Sequence, residues 1–75
     1  MAIVITLDSV LKRKRMTGKA LAEKVGISQT QMSMLRSGKV RGIRFSTLKR
    51  ICAVLQCQPG DVMVYQFSEE DLNEL

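Results

Sequence analysis

The stretch Thr17–Gly38, TGKALAEKVGISQTQMSMLRSG, constrains the fold more than any other. Apolar or small residues at Leu21, Ala22, Val25, Ile27, Met32 and Leu35 predict two short helices joined by a tight turn at Gly26. Each key position has a physical reason. Two helices that cross steeply need a small side chain where they touch, which suits Ala22. The chain must reverse within a few residues, and a glycine tolerates positive φ at that point. Met32 and Leu35, three apart, turn the second helix back onto the first. The unit is a helix-turn-helix, and the second helix presents its opposite face to a partner.

The flanking segments extend this unit. Thr17 is placed to cap the first of these helices and Ser28 the second, with Gly38 as the C-terminal stop. Upstream, Leu7 to Arg15 reads as a helix with a buried stripe at Leu7, Val10 and Leu11, capped by Thr6 or Asp8. Its last turn carries Lys12, Arg13, Lys14 and Arg15, where cations suit the helix dipole. Downstream, Phe45 or Ser46 to Leu55 reads as a fourth helix, with Phe45, Leu48, Ile51, Cys52 and Leu55 at helical spacing. Gln58-Pro59-Gly60-Asp61 opens a fifth, short helix. Two β-branched or aromatic runs, Ala2 to Thr6 and Met63 to Phe67, are each too short to stand alone. They are expected to pair and tie the termini together. Ser68 to Leu75 has a helix-like start but little to bury, and is expected to fray.

Seventy-five residues fit one domain spanning 1–75, near the lower limit for a self-sufficient core. Hydrophobic residues make up 45% with only three aromatics, so the core must come from Leu, Ile, Val, Met and Ala. The chain has no His, no Trp and no Gly-rich phosphate loop, a poor start for catalysis. The two cysteines, Cys52 and Cys57, sit among apolar residues and read as small core side chains. With no His and no base near either in sequence, they complete neither a zinc site nor a nucleophilic one. No enzymatic role and no metal is expected. No cationic-then-apolar leader opens the sequence, and no apolar run approaches the roughly 18 residues of a membrane span. A cytoplasmic chain with reduced thiols is expected.

Charge is strongly sorted. All 12 Lys and Arg lie between Lys12 and Arg50, and four of the 7 acids fall in the last eight residues. Residues 1–67 thus set twelve cations against three acids, a net +9, while the tail carries −4. From position 24 to 60 there is no acid at all. Such a body suits a polyanionic partner. If the helix-turn-helix reads DNA, its second helix enters the major groove N-terminal end first. Its solvent face carries Gln29, Thr30, Ser33 and Met34, with Arg36 nearby. Gln29 can pair bidentately with adenine. Thr30 and Ser33 can bond several base edges, and the Thr methyl or Met34 can touch a thymine methyl. Lys39, Arg41, Arg44, Lys49 and Arg50 are candidates for phosphate contacts, which position the protein without reading sequence.

Two stretches, LKRKRMTGKALAEKVGISQTQMSMLRSGK and RFSTLKRICAVLQCQPGDVM, resemble the Cro/CI-type (XRE) helix-turn-helix transcriptional regulators, in particular their short single-domain branch. Together they span roughly two-thirds of the chain. The resemblance implies an all-α, five-helix, lambda-repressor-like domain, to which the paired terminal strands add a short antiparallel sheet. It also implies binding to double-stranded operator DNA, usually as a homodimer on a near-palindrome, with no cofactor. By position, Gln29, Thr30 and Met34 fall where the family's base-reading residues lie, with Ser33 between them. Arg44 falls where some members send an arginine into the minor groove, and Lys39 and Arg41 at backbone-contacting loop positions. Two positions depart from the pattern. The glutamine that often starts the family's second helix is Gly18 here, which shifts its phosphate contact to Thr17 or Lys19. Some members also pair a helix-1 arginine with a helix-3 acid. Here Arg13 is present but the helix-3 position is Arg36, so both arginines are expected to be free for phosphate.

The leading expectation is a sequence-specific transcriptional regulator, dimeric on DNA through its terminal strands. The alternative is an antitoxin-like interaction module that also binds its own promoter, although a long apolar tail to cap a partner is missing. The acidic tail suits either solubility or a contact with the transcription machinery. Stacking aromatics usual in single-strand RNA readers are absent.

Overall fold

A computed structural model of the chain describes residues 3–75. The element order is β1 (Ile3–Ile5), α1 (Leu7–Lys14), α2 (Gly18–Val25), α3 (Gln29–Arg36), α4 (Phe45–Leu55), α5 (Pro59–Val62), β2 (Met63–Tyr65) and α6 (Glu69–Asn73). The fold is a helical bundle closed at one end by a two-stranded antiparallel sheet.

Local chemistry accounts for most boundaries. The Thr17 hydroxyl accepts from the Ala20 amide at 3.0 Å and starts α2. Gly26, at φ 86°, ends α2, and its amide donates to the Ala22 carbonyl. A side chain at that φ carries a steric cost that glycine avoids. Ser28 then starts α3 with a reciprocal pair of bonds. Its hydroxyl accepts from the Gln31 amide, and the Gln31 side chain accepts from the Ser28 amide. This capping box satisfies two amides that would otherwise lack partners, and losing a cap of this kind typically costs about 1 kcal/mol. At the far end of α3, Gly38 adopts φ 75° and the Lys39 amide donates to the Met34 carbonyl.

The core is built as the apolar spacing requires. Leu7, Val10 and Leu11 come from α1, and Leu21, Ala22 and Val25 from α2. Met32 and Leu35 come from α3, Ile51 and Leu55 from α4, and Val62 from α5. α2 packs against both α3 and α4, with Ala22 fully buried as a close crossing demands.

The terminal strands pair in the register Ile3 with Tyr65, Val4 with Val64 and Ile5 with Met63. The expected partnership is therefore present, over three residues of each run; Ala2 lies outside the described residues. Thr6 extends the tie. Its amide donates to the Val62 carbonyl at 2.7 Å and its hydroxyl to the Asp61 carbonyl at 2.8 Å. That hydroxyl is consequently not spent on capping α1, whose first turn gains Asp8 instead.

Three expectations need correction. Among the described residues there are six helices, not five, because the tail forms one of its own: Ser68 caps α6 by accepting from the Glu70 amide. Three acids in the first turn suit its positive end, and the Tyr65 hydroxyl donates to Asp71 at 3.0 Å. Second, Phe45 is 87% exposed rather than part of the core. It stands on the apolar stripe of α4 but in the first turn, facing an open recess instead of another element. Third, Cys52 and Cys57 pack against the core but are only half-buried.

Candidate nucleic-acid interface

The helix-turn-helix presents one face of α3 to solvent. With Met32 and Leu35 turned inward, Gln29, Thr30, Ser33 and Met34 all stand exposed. Gln31 is taken up by its capping bond, so Gln29 is the glutamine free for a base edge. The sequence carries that signal as the pattern Ser28-x-x-Gln31, which a reading of Ser28 alone does not use. Met34, 43% exposed, borders a recess of about 290 Å³ between α3, the following loop and α4. Ile27, Val40 and Ile43 line it, with Arg44 at its edge. An apolar side chain over an apolar recess is chemistry suited to a thymine methyl.

The loop after α3 alternates in function. Val40 and Ile43 are half-buried and pack against the core, while Lys39, Arg41 and Arg44 point outward. Two apolar anchors thus hold the loop, whose Lys39 directly follows α3 and whose Arg44 borders the recess beside Met34. Lys49 is exposed on α4, and Thr17 and Lys19 are exposed at the start of α2. The Thr17 hydroxyl accepts the capping bond, which leaves its own hydrogen free to donate. Arg50 reaches the other way, donating from Nη1 to the Val25 carbonyl at 3.4 Å, near the end of α2.

Arg36 is not free. Its Nε donates to Asp8 Oδ1 at 2.6 Å, joining α3 to α1. The expectation that Arg36 is free for phosphate is thus overturned: an ion pair joins helices 1 and 3, with its signs exchanged relative to the pairing some family members carry and at a different position on α1. The same contact explains Gly18. A Cβ built there would lie 2.5 Å from Arg36 Nη1 and 3.1 Å from its Cδ. The guanidinium group lies across the start of α2, and the missing side chain makes room for it. Arg13 has no carboxylate partner among the described residues. Its charge falls near Cys57 instead.

Glu70, Asp71 and Glu74 of the tail line a groove of about 700 Å³ together with Ile5, Met63, Val40 and Arg41. Among the described residues no group of three or more His, Cys, Asp or Glu is placed to hold a metal ion. No helix there is long and apolar enough to cross a membrane.

An exposed second helix, a tight glycine turn and cations grouped around both are the parts of a DNA-binding helix-turn-helix. The sequence profile of the Cro/C1-type HTH DNA-binding domain matches residues 6–68, and the chain belongs to that family of DNA-binding regulators. It is similar to YozG, an uncharacterised HTH-type transcriptional regulator of Bacillus subtilis strain 168. The two are 46% identical over 71 residues, which is 95% of this chain and 83% of YozG.

Proposed function

We propose that the chain, as one domain over residues 1–75, regulates transcription by reading a specific operator with α3 in the major groove. Gln29, Thr30, Ser33 and Met34 contact bases in this reading. Thr17, Lys19, Lys39, Arg41 and Lys49 hold phosphates, Arg13 serves as an outlying cation, and Arg44 contacts phosphate or enters the minor groove. Arg36 acts indirectly, by fixing α3 against Asp8. The observation that carries the reading is a set of exposed cations on α2, α4 and the loop after α3, beside an α3 face whose Gln29, Thr30 and Ser33 side chains have no hydrogen-bond partner among the described residues. Phosphate contacts of this kind give steep salt dependence and set register, and the α3 side chains then supply base preference.

The protein acts in this reading as a homodimer on a near-palindrome. The supporting observation is the short sheet, whose two strands each keep an outer edge unpaired among the described residues. Half-sites should lie about 34 Å apart, or a multiple of that. Binding of a preferred duplex, measured across a salt series, tests the electrostatic part. Affinity should fall steeply as salt rises, and a flat response would remove the phosphate assignment.

A further inference from the structure

α4 ends in a turn that carries a cysteine at each end. Gln56 adopts φ 50°, and the Cys57 amide donates to the Cys52 carbonyl at 3.0 Å. This six-residue closure of a helix end characteristically sets the first and last side chains of the turn against each other. Here those side chains are Cys52 and Cys57. Both are half-buried and free, and they share a surface recess of about 460 Å³ with Phe45, Leu48, Lys49 and Pro59. Core packing accounts for their inner sides but not for two cysteines set at the ends of one turn in a solvent-open recess. With no third metal-ligating side chain grouped with them among the described residues, the pair has two-sulfur chemistry available to it.

We propose that Cys52 and Cys57 form a paired-thiol modification site, which low-molecular-weight disulfides convert reversibly to an intramolecular Cys52–Cys57 disulfide. In the first step one cysteine thiolate attacks a sulfur of the reagent. A protein–reagent S–S bond forms and one reagent thiolate leaves. In the second step the other cysteine, as its thiolate, attacks the protein-side sulfur. The internal disulfide forms and the second reagent thiolate leaves. The protein gives up two protons and two electrons, and the reagent is reduced to two thiols. The turn holds the second thiol beside the first, so the second step is intramolecular and outruns capture by another molecule. Burial, and then the neighbouring Cys52, push the Cys57 thiol above its ordinary value. Its thiolate therefore forms at higher pH, and the exchange should quicken as pH rises.

The test is incubation of the reduced full chain with oxidised glutathione in mildly alkaline buffer, read by intact mass and non-reducing peptide mapping. The expected product has lost two hydrogen atoms, carries no adduct, maps to a Cys52–Cys57 link and reverts with dithiothreitol. Cys52→Ala and Cys57→Ala should each retain one glutathione, because neither has a resolving thiol. Stable glutathione adducts on the wild type, disulfide-linked chains, or an unreactive wild type would each overturn the proposal. The wild-type result decides the matter even if a variant fails to fold.

Discussion

Gly18→Ala isolates the contact that most distinguishes this helix-turn-helix. The new Cβ would stand 2.5 Å from Arg36 Nη1, 3.1 Å from Cδ and 3.2 Å from Cζ, so the arginine must swing away. Two effects then oppose each other. Alanine favours the helix over glycine by up to about 1 kcal/mol, less at a first position than in the interior. Moving Arg36 forfeits an ion pair whose side chains are 42% and 62% exposed, a kind typically contributing about 0.2–1 kcal/mol. Net stability should stay within about 1 kcal/mol of wild type, a shift of at most about 8 °C in Tm for a domain this small. The informative quantity is coupling. Asp8→Asn should cost about 0.2–1 kcal/mol in the wild type beyond its effect on the α1 dipole, and lose that ion-pair part in the Gly18→Ala background. A double-mutant cycle by thermal or urea unfolding reads this directly, because the dipole contribution of Asp8 cancels. Equal cost of Asp8→Asn in both backgrounds would mean that Arg36 does not depend on the space at Gly18. A loss above about 2 kcal/mol on Gly18→Ala alone would mean that Arg36 cannot move aside.

Other consequences are equally concrete. Lys39→Ala should weaken binding to all duplexes by similar factors and lower the slope of log affinity against log salt by about 0.9, as loss of one phosphate contact requires; a change confined to one base position would contradict its role. Arg44→Ala should also weaken all duplexes, with a larger loss at A·T-rich sites if the side chain enters the minor groove. Tyr65 is the chain's single tyrosine and there is no tryptophan, so its phenol can be titrated by absorbance without interference. Partial desolvation, and then its bond to Asp71, raise its pKa above the ordinary phenol value. Its contribution to stability is therefore present below the unfolded-state pKa and lost as pH rises through the folded-state value. Asp71→Asn should move the absorbance midpoint back down, and an unmoved midpoint would discount the Tyr65–Asp71 contact. Deleting residues 1–5 should abolish any dimer seen by sedimentation; an unchanged dimer would place the interface elsewhere.

What could be read from the sequence was what depends on neighbours along the chain. Apolar spacing located α1 to α4, and Thr17, Ser28, Gly26 and Gly38 fixed their ends through capping and positive φ. The strand pairing was legible because each run needed a partner and only one was available. What escaped depends on contacts between distant residues. Asp8 and Arg36 are 28 positions apart, and nothing local says that an arginine on α3 will lie across Gly18 to reach an acid on α1. Phe45 obeys the α4 periodicity, yet periodicity does not say where the neighbouring elements stop. α6 forms on a serine cap and a tyrosine from β2, although its own apolar content predicts little. The polar face of α3 could be located by spacing, whereas its lack of hydrogen-bond partners among the described residues, Gln31 excepted, is visible only in the structure.

In the function proposed above, the exposed face of α3 chooses the base sequence. It is tested most directly by selecting bound duplexes from a random pool with the wild type and with Gln29→Ala side by side. The wild type should return a near-palindrome with half-sites about 34 Å apart, or a multiple of that. Gln29→Ala should return the same spacing, with preference relaxed by about 1–3 kcal/mol at one base pair in each half-site. An unchanged motif from the variant, or no motif from the wild type, would contradict the assignment of α3 as the reading helix.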